Sequence, residues 1–501
     1  MKTWLDRITG LVPMYKLVLV FLLAISVLGI VLSFAGQLSY APDALLASFA
    51  VSIGVTFGSS WLAARIVRTR FHFESALISG FLIFLIINPR LELESLLGTA
   101  LACLLASASK YLLAVRGRHI FNPAAVGLFI VGITGLAYPG WWVGTPYLQP
   151  LIVIGAFLIL YRTQRLTMGL VFIVLASAIN IGAFLAGGST LESALTFTFL
   201  SSPLVFFAGF MLSEPLTLPP RRWQQIAVAA LVALPFAIPF NSGITNKYLL
   251  ALLIGNLIAF AFGQRRGIRL TYLGKQQLGA STWELAFQPS RPVRFLPGQY
   301  MELTIPHRRA DFRGSRRYFS ISSAPTDDGP ITFAISVPSK SSSFKQALLD
   351  LAPGQIVNGT GVGGDFALPK DAREPLLLVA GGIGITPFAS QLAHATERGD
   401  KRDVVVVYAT STPGPLPYRE LLENSGARVV LFGPEAPDTL PLGWSYGGSG
   451  RVTGERLVGA VPDAAQRRAF VSGPPALVND LRHALRSQGA KRVHADSFSG
   501  Y

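Results

Sequence analysis

Runs of roughly 20 mainly apolar residues, the length a helix needs to cross a bilayer, crowd the first 264 or so positions of this 501-residue chain. They number ten, centred near residues 26, 54, 82, 104, 130, 155, 177, 203, 232 and 256. The pattern calls for a polytopic all-α membrane domain of about ten transmembrane helices. A hydrophobic fraction of 51% and a mean hydropathy of +0.47 point the same way, being too high for an ordinary soluble protein. Two runs are interrupted: INPR closes the third and SSP falls inside the eighth.

Lys and Arg fall in every second connection, for example Arg65, Arg68 and Arg70, then Arg162 and Arg165, then Arg265 and Arg266. Alternate connections such as GQLSYAPD and YPGWWVGTPY are nearly free of them, with Arg90 and Lys247 as exceptions. Positive residues stay inside. The expected product is therefore an integral protein of a bacterial-type inner (cell) membrane, in contact with membrane lipid and with both termini cytoplasmic. The N-terminal stretch through Lys16 lacks a cleavable signal pattern and reads as a retained lead-in. A net charge of +16 is largely this loop bias, so no nucleic-acid partner is expected. The single cysteine, Cys103, reads as a small buried hydrophobe; one thiol excludes an intrachain disulfide and an all-cysteine iron–sulfur cluster. No metal site is expected.

Polar groups at the membrane edge are costly and are read as functional candidates. KYLLAVRGRHIFNPAAVG places Arg116, Arg118, His119 and Asn122 just before a Pro-initiated helix, where basic side chains and free N–H groups can receive an anionic ligand. Loop anchoring plus an N-cap at Asn122 is the alternative. In FMLSEPLTLPPRR, Glu214 lies at the end of a span, followed by Pro215. With INIGAFLAGG and ten spans, these stretches resemble the NqrB/RnfD family of membrane flavoproteins, components of the sodium-pumping NADH:quinone oxidoreductase and of the Rnf electron-transfer complex, over residues 15 to 265. That resemblance implies a second flavin, FMN or riboflavin, in the membrane domain near Arg118, His119 and Asn122. It also implies covalent FMN at Thr196, although GGSTLESALTF departs from the family's SGAT-type motif and a helix start is the other role for Ser193 and Thr196.

After Gly267 the chain changes character. RFLPGQYMELTIP, RRYFSISSAP and ITFAISVP read as strands of an antiparallel β-barrel. EPLLLVAGGIGITPFASQLAHATE is a buried strand, a glycine turn and a helix, and AFVSGPPALVNDLRHAL repeats that order, as in a parallel sheet. Gly381, Gly382 and Gly384 let the backbone approach a pyrophosphate at a helix N-terminus. The second turn offers Ser472, Gly473 and Pro474. The expected domains are thus 1–266 (membrane), 267–370 (β-barrel) and 371–501 (α/β).

Residues 268–501 resemble the ferredoxin-NADP reductase superfamily. The resemblance implies FAD on the barrel, with Arg317 on its phosphate, Ser320 at its reactive edge, and Phe319 in place of the usual Tyr as the packing ring. Tyr318 either compensates for the lost hydroxyl or faces the other way. Ser341, Ser342 and Ser343 match the second phosphate-binding turn. On the nicotinamide side it implies Thr386 after the glycine turn and Ser472 where a Cys is frequent. Relatives hold a C-terminal aromatic ring over the flavin, a role that falls to Tyr501 or else Phe498. Thr410 and Ser411 stand where a 2′-phosphate would want Arg, which favours NADH over NADPH unless Arg419 folds back.

Joined, the halves read as an NAD(P)H-dependent flavin oxidoreductase passing electrons through FAD to a membrane flavin, and on to a quinone or an outward acceptor. The alternatives are a heme-containing ferric reductase-like protein, which His72 and His119 alone would have to ligate, and a redox-regulated transporter.

Overall fold

The structure, a computed structural model, describes residues 14–67, 71–115, 118–219, 222–238, 246–262, 268–305, 307, 316–338, 341–437 and 439–498. The chain forms two compact units, Met1–Arg266 and Gly267–Tyr501.

The first unit is helical: α1 (Met14–Phe34), α2 (Pro42–Ile66), α3 (Phe73–Ile86), α4 (Leu93–Leu112), α5 (Pro123–Thr134), α6 (Gln149–Arg162), α7 (Leu166–Ala186), α8 (Leu191–Ser201), α9 (Leu204–Leu212), α10 (Arg222–Ala237) and α11 (Lys247–Ala261). A two-residue hairpin, β1 (Ala114–Val115) and β2 (Arg118–His119), joins α4 to α5. The apolar centres fall within helices, except the one near residue 203, which falls at the break between α8 and α9. Among the described residues four helices, α1, α2, α4 and α7, are long and apolar enough to cross a membrane, and the bent pair α8–α9 makes a fifth if it counts as one span. The outer face of α1 presents Val20, Leu23, Val27 and Val31 while Ser26 and Gly29 are buried. Apolar side chains outward and small or polar ones inward is compatible with membrane insertion.

Small residues line the helix contacts, which lets backbones approach closely. Ser48, Ser52, Thr56 and Ser60 recur every fourth position on α2 and are buried, as are Ser95, Thr99, Cys103 and Ser107 on α4, against which α2 packs. Ser59 donates to Ser107 Oγ at 2.7 Å, and the Cys103 thiol to the Ser52 carbonyl at 3.6 Å.

The packing order repeats within this unit. Helix α1 packs on α3, α2 on α4, and α4 on α5; likewise α6 packs on α9, α7 on α10, and α10 on α11. The interrupted elements occupy the third place in each set. Helix α3 stops at Ile86, and Ile87 bridges Pro139 as an extended segment, with Asn88 N–H donating to the Tyr138 carbonyl at 2.8 Å. Trp141 N–H and Trp142 Nε1 donate to the carbonyls of Ile86 and Phe84 that the helix end leaves open. The counterpart, α8–α9, bends by 44° at Ser202–Pro203. Both breaks coincide with the INPR and SSP interruptions. The start of α8 differs from expectation: its N-cap is Thr190, whose hydroxyl accepts from Ser193 N–H at 3.2 Å, and Thr196 lies exposed inside the helical run.

The second unit carries two six-stranded sheets. The antiparallel one comprises β3 (Ile268–Gln277), β4 (Thr282–Pro289), β5 (Tyr300–Thr304), β6 (Arg316–Ser320), β7 (Ile331–Ser336) and β8 (Ile356–Gly363), in the order β6-β5-β8-β3-β4-β7. A bridge from Ile321 to Phe333 joins its two edges, so the sheet closes into a barrel around Leu270, Leu285, Phe287, Met301 and Phe333. Helix α12 (Ser343–Leu349) follows β7.

The other sheet is parallel throughout. It holds β9 (Leu376–Gly381), β10 (Val404–Ala409), β11 (Arg428–Phe432), β12 (Trp444–Gly448), β13 (Arg468–Gly473) and β14 (Val493–Ser497), in the order β12-β11-β10-β9-β13-β14. Helix α13 (Thr386–Glu397) follows β9, α14 (Arg419–Asn424) precedes β11, α15 (Gly454–Ala460) follows β12, and α16 (Pro475–Ser487) follows β13. All six β9 residues are buried, as a central parallel strand requires.

Candidate functional sites

In the parallel sheet the chain leaves β9 toward β10 on one side, and its later strand β13 returns to the other side. Strand order therefore reverses beside β9, and ligands of open α/β sheets bind at the strand carboxyl ends of such a point. The two glycine turns read from the sequence lie there together. A Cβ added at Gly384 would stand 2.4 Å from the Ser472 carbonyl oxygen; one at Gly381 would meet Leu477 at 2.4 Å and Pro474 at 3.0 Å. Gly382 has φ +55° and Gly473 φ +151°. Only glycine permits this approach, and it leaves a shallow backbone cradle before α13 of the kind a pyrophosphate fits.

Thr386 opens α13 and donates to the Ile383 carbonyl at 3.0 Å. Ser472 is fully buried, yet its hydroxyl has no hydrogen-bond partner among the described residues. A buried orphan of this kind calls for a ligand or water. Ser472 lies in register with Asp496 of β14. Burial, reinforced by the neighbouring Asp365 carboxylate, pushes the Asp496 carboxyl up to about 6. The last described residue, Phe498, donates its N–H to the Gly473 carbonyl at 2.9 Å, which returns the chain end to this turn. Tyr501 lies outside the described residues.

On the barrel, β6 alternates. Arg317 and Phe319 face α12: the guanidinium lies 5.3 Å from the Phe344 ring centre, and Phe319 stacks on Phe344 at 5.8 Å. Tyr318 faces the other way and meets Tyr300 edge-on at 5.3 Å, more than half exposed. Ser320, at the strand end, is buried, and its hydroxyl has no partner among the described residues. Ser342 caps α12 by accepting from Lys345 N–H, and Ser343 Oγ lies 3.0 Å from His307 Nε2. Arg317, Phe319, Ser342 and Ser343 are thus brought to one end of α12. His307 joins them unforeseen; its only sequence signal is the basic run PHRR.

Hydrogen bonds among the described residues tie the barrel and the connection that follows β8 to the parallel sheet. Ser390 donates to the Ser323 carbonyl at 2.7 Å, Gln391 to the Phe366 carbonyl at 2.7 Å, and the Tyr418 hydroxyl to Glu284 at 2.8 Å. Arg419 does not fold back toward Thr410; it pairs with Glu423 at 2.7 Å.

In the helical unit the two polar clusters of the sequence meet. Glu214 Oε1 lies 2.9 Å from His119 Nε2, and Glu214 Oε2 accepts from Asn122 Nδ2 at 2.9 Å. Asn122 also caps α5, accepting from Ala125 N–H, while its own N–H donates to Asn256 Oδ1 at 2.8 Å. The side chains of His119 and Asn122, expected to face a flavin, are thus turned to a carboxylate. Among the described residues there is no group of three or more His, Cys, Asp or Glu placed to hold a metal.

Comparison with known proteins places the second unit. Residues 378–483 match the family described as an oxidoreductase NAD-binding domain. The electron transfer component of toluate 1,2-dioxygenase from Pseudomonas putida is 30% identical over 230 residues, 45% of this chain and 65% of that protein. The reductase component of propane 2-monooxygenase from Rhodococcus jostii is 28% identical over 226 residues, 43% of this chain and 59% of that protein. The chain therefore spans less than two thirds of the length of these relatives. A crystal structure of an Amycolatopsis cytochrome P450 reductase is 25% identical with a TM-score of 0.40, covering 47% of this chain and 70% of that one.

Proposed function

Since the C-terminal half of this chain matches the ferredoxin-NADP reductase-like superfamily, we propose that the protein is a membrane-bound NAD(P)H oxidoreductase. Electrons pass from cytoplasmic NAD(P)H through FAD to an acceptor in the helical unit, and on to a quinone or an outward acceptor. The observation that carries this reading is the pair of orphaned, buried hydroxyls, Ser320 on the barrel and Ser472 on the parallel sheet, in one unit fused to an apolar helical one.

Bound FAD supplies the chemistry that accepts two electrons as hydride and releases them singly. The chain's own residues bind and orient. Arg317, Ser341, Ser342 and Ser343 hold phosphate near α12, a charge-assisted contact in the case of Arg317, and Ser320 donates to the reactive edge of the isoalloxazine. Gly381, Gly382, Gly384, Thr386, Gly473 and Pro474 form the nicotinamide dinucleotide cradle. Ser472 fixes the nicotinamide ring. Phe498, or Tyr501 beyond it, covers the flavin until nicotinamide enters.

In the helical unit the eleven helices, with the bent pair α8–α9 taken as one span, are read as ten crossings, with both termini on the cytoplasmic side. A second flavin, FMN or riboflavin, is the intermediate carrier, at the rim of the stretch holding Arg118, His119 and Asn122. Thr196, exposed on α8, is the point where a flavin phosphate would attach, and mass spectrometry of the helical unit tests it. Purified full-length protein should contain FAD and reduce both ferricyanide and a short-chain quinone with NADH in liposomes. Ferricyanide reduction without any quinone reduction would reject the membrane acceptor.

A further inference from the structure

Glu214 lines a cavity of about 40 Å³ together with Tyr15, Ser75, Ser79, Asn122 and Ser213. That is room for about three water molecules at ~10–15 Å³ each, and far below the ~300 Å³ at which ligand pockets begin. Met14, Val18, Ile78, Leu82, Pro123 and Phe210 complete the lining, and the oxygens and nitrogens of the six polar residues are the partners that a water there can find. A half-buried carboxylate, an imidazole in contact with it and a water-sized space beside the carboxylate are the components of a proton relay. In the sequence His119 and Glu214 adjoin connections in which Lys and Arg gather, which on the reading above is the cytoplasmic side.

We infer that His119 and Glu214, with the water beside them, form the entry by which protons reach the acceptor in the helical unit. This rests on the membrane-acceptor reading above. The balance is simple: NADH gives up two electrons and one proton at the C-terminal half, and a quinone that takes two electrons takes two protons, one on each oxygen. If the electrons travel apart from the hydride's proton, both protons must enter separately. His119 carries one on Nε2 or Nδ1, and the carboxylate accepts it at Oε1, 2.9 Å away. Asn122 holds the other carboxylate oxygen and so fixes the geometry, while Asn256 holds Asn122.

The other titratable groups at the site come from three elements. Tyr15 comes from α1. Lys110 comes from α4; its ammonium donates to the Ser75 carbonyl at 2.9 Å and lies within electrostatic reach of Glu214. Arg165, before α7, donates to the Ser213 carbonyl at 2.6 Å.

The test uses full-length protein in liposomes with NADH and either ferricyanide, which takes electrons but no protons, or a short-chain quinone. Glu214→Gln should lower quinone reduction at least ten-fold, flatten its pH profile and raise its solvent deuterium isotope effect, with ferricyanide reduction unchanged. Glu214→Asp should restore part of the quinone rate. Wild-type quinone rates and pH profile in Glu214→Gln overturn the relay. Equal loss with both acceptors, uncorrected by Glu214→Asp, shows a structural role and overturns it as well. A wild-type protein that reduces ferricyanide but no quinone rejects the underlying reading instead.

Discussion

Gly384→Ala tests whether the two turns at the strand ends form one cradle. The added carbon would sit 2.4 Å from the Ser472 carbonyl oxygen, 2.6 Å from its carbonyl carbon and 2.8 Å from Gly473 Cα. Non-bonded heavy atoms settle at about 3.5 Å or more, so the turns must part by roughly 1 Å. All three neighbours are backbone, and no side chain can swing away to relieve the clash. Overpacking of this kind costs about 1–3 kcal/mol, or roughly 2–4 °C of melting temperature per kcal/mol for a unit of this size. The kinetic loss should be larger, because a displacement of about 1 Å in a positioned site costs on the order of 100-fold in rate. Gly426→Ala is the control: its φ is +69° and nothing lies within 4 Å of the new carbon, so it carries backbone strain alone. Thermal unfolding and NADH:ferricyanide kcat/KM are measured for both. Gly384→Ala should lose kcat/KM by one to two orders of magnitude, whereas Gly426→Ala should lose stability only. A Gly384→Ala protein that keeps the kcat/KM of Gly426→Ala would refute the shared cradle.

Two further outcomes follow from the same unit. Ser472→Ala deletes a buried hydroxyl that has no partner among the described residues, so stability should hold within about 1 kcal/mol, while kcat/KM for NADH falls about ten-fold, a loss near 1.4 kcal/mol of transition-state binding; a collapse in melting temperature would show that the hydroxyl serves the fold. Asp496 is raised from 3.8 to about 6 by burial and by Asp365. The folded state then binds this proton more tightly than the unfolded chain, so its contribution to stability is complete below pH 3.8 and is lost as pH climbs through 6. Replacing Asp496 with Asn should flatten that decline in pH-dependent unfolding, and an unchanged pH slope would contradict the assignment.

Periodicity and turn chemistry made much of the architecture readable. The two breaks in the helical unit announced themselves as INPR and SSP, because a Pro and exposed polar groups are poorly tolerated inside an apolar helix. The repeated packing order was invisible, since it resides in which helix touches which and no residue period records it. His119 and Glu214 were each singled out, yet they are 95 positions apart and sequence spacing carries no information on their meeting. The start of α8 was misplaced within GGSTLES, where three hydroxyl residues compete for the cap. The backbone decides it: Gly188 at φ +83° turns the chain so that Thr190 meets the free N–H groups. On β6, strand alternation separates Phe319 from Tyr318, but two adjacent aromatics give no hint of which one faces α12. Asp365 and Asp496 went unnoticed, because they lie far apart in the sequence and no spacing records their approach.

The most direct measurement follows electrons from NADH into full-length protein held in lipid nanodiscs, without oxygen, by rapid-mixing absorbance with quinone present. The FAD band should bleach first, and a membrane-unit flavin signal or quinol should then grow with one acceptor molecule reduced per NADH consumed. Bleaching of FAD with no second chromophore and no quinol, while added ferricyanide is reduced freely, would show that the helical unit takes no part in electron transfer.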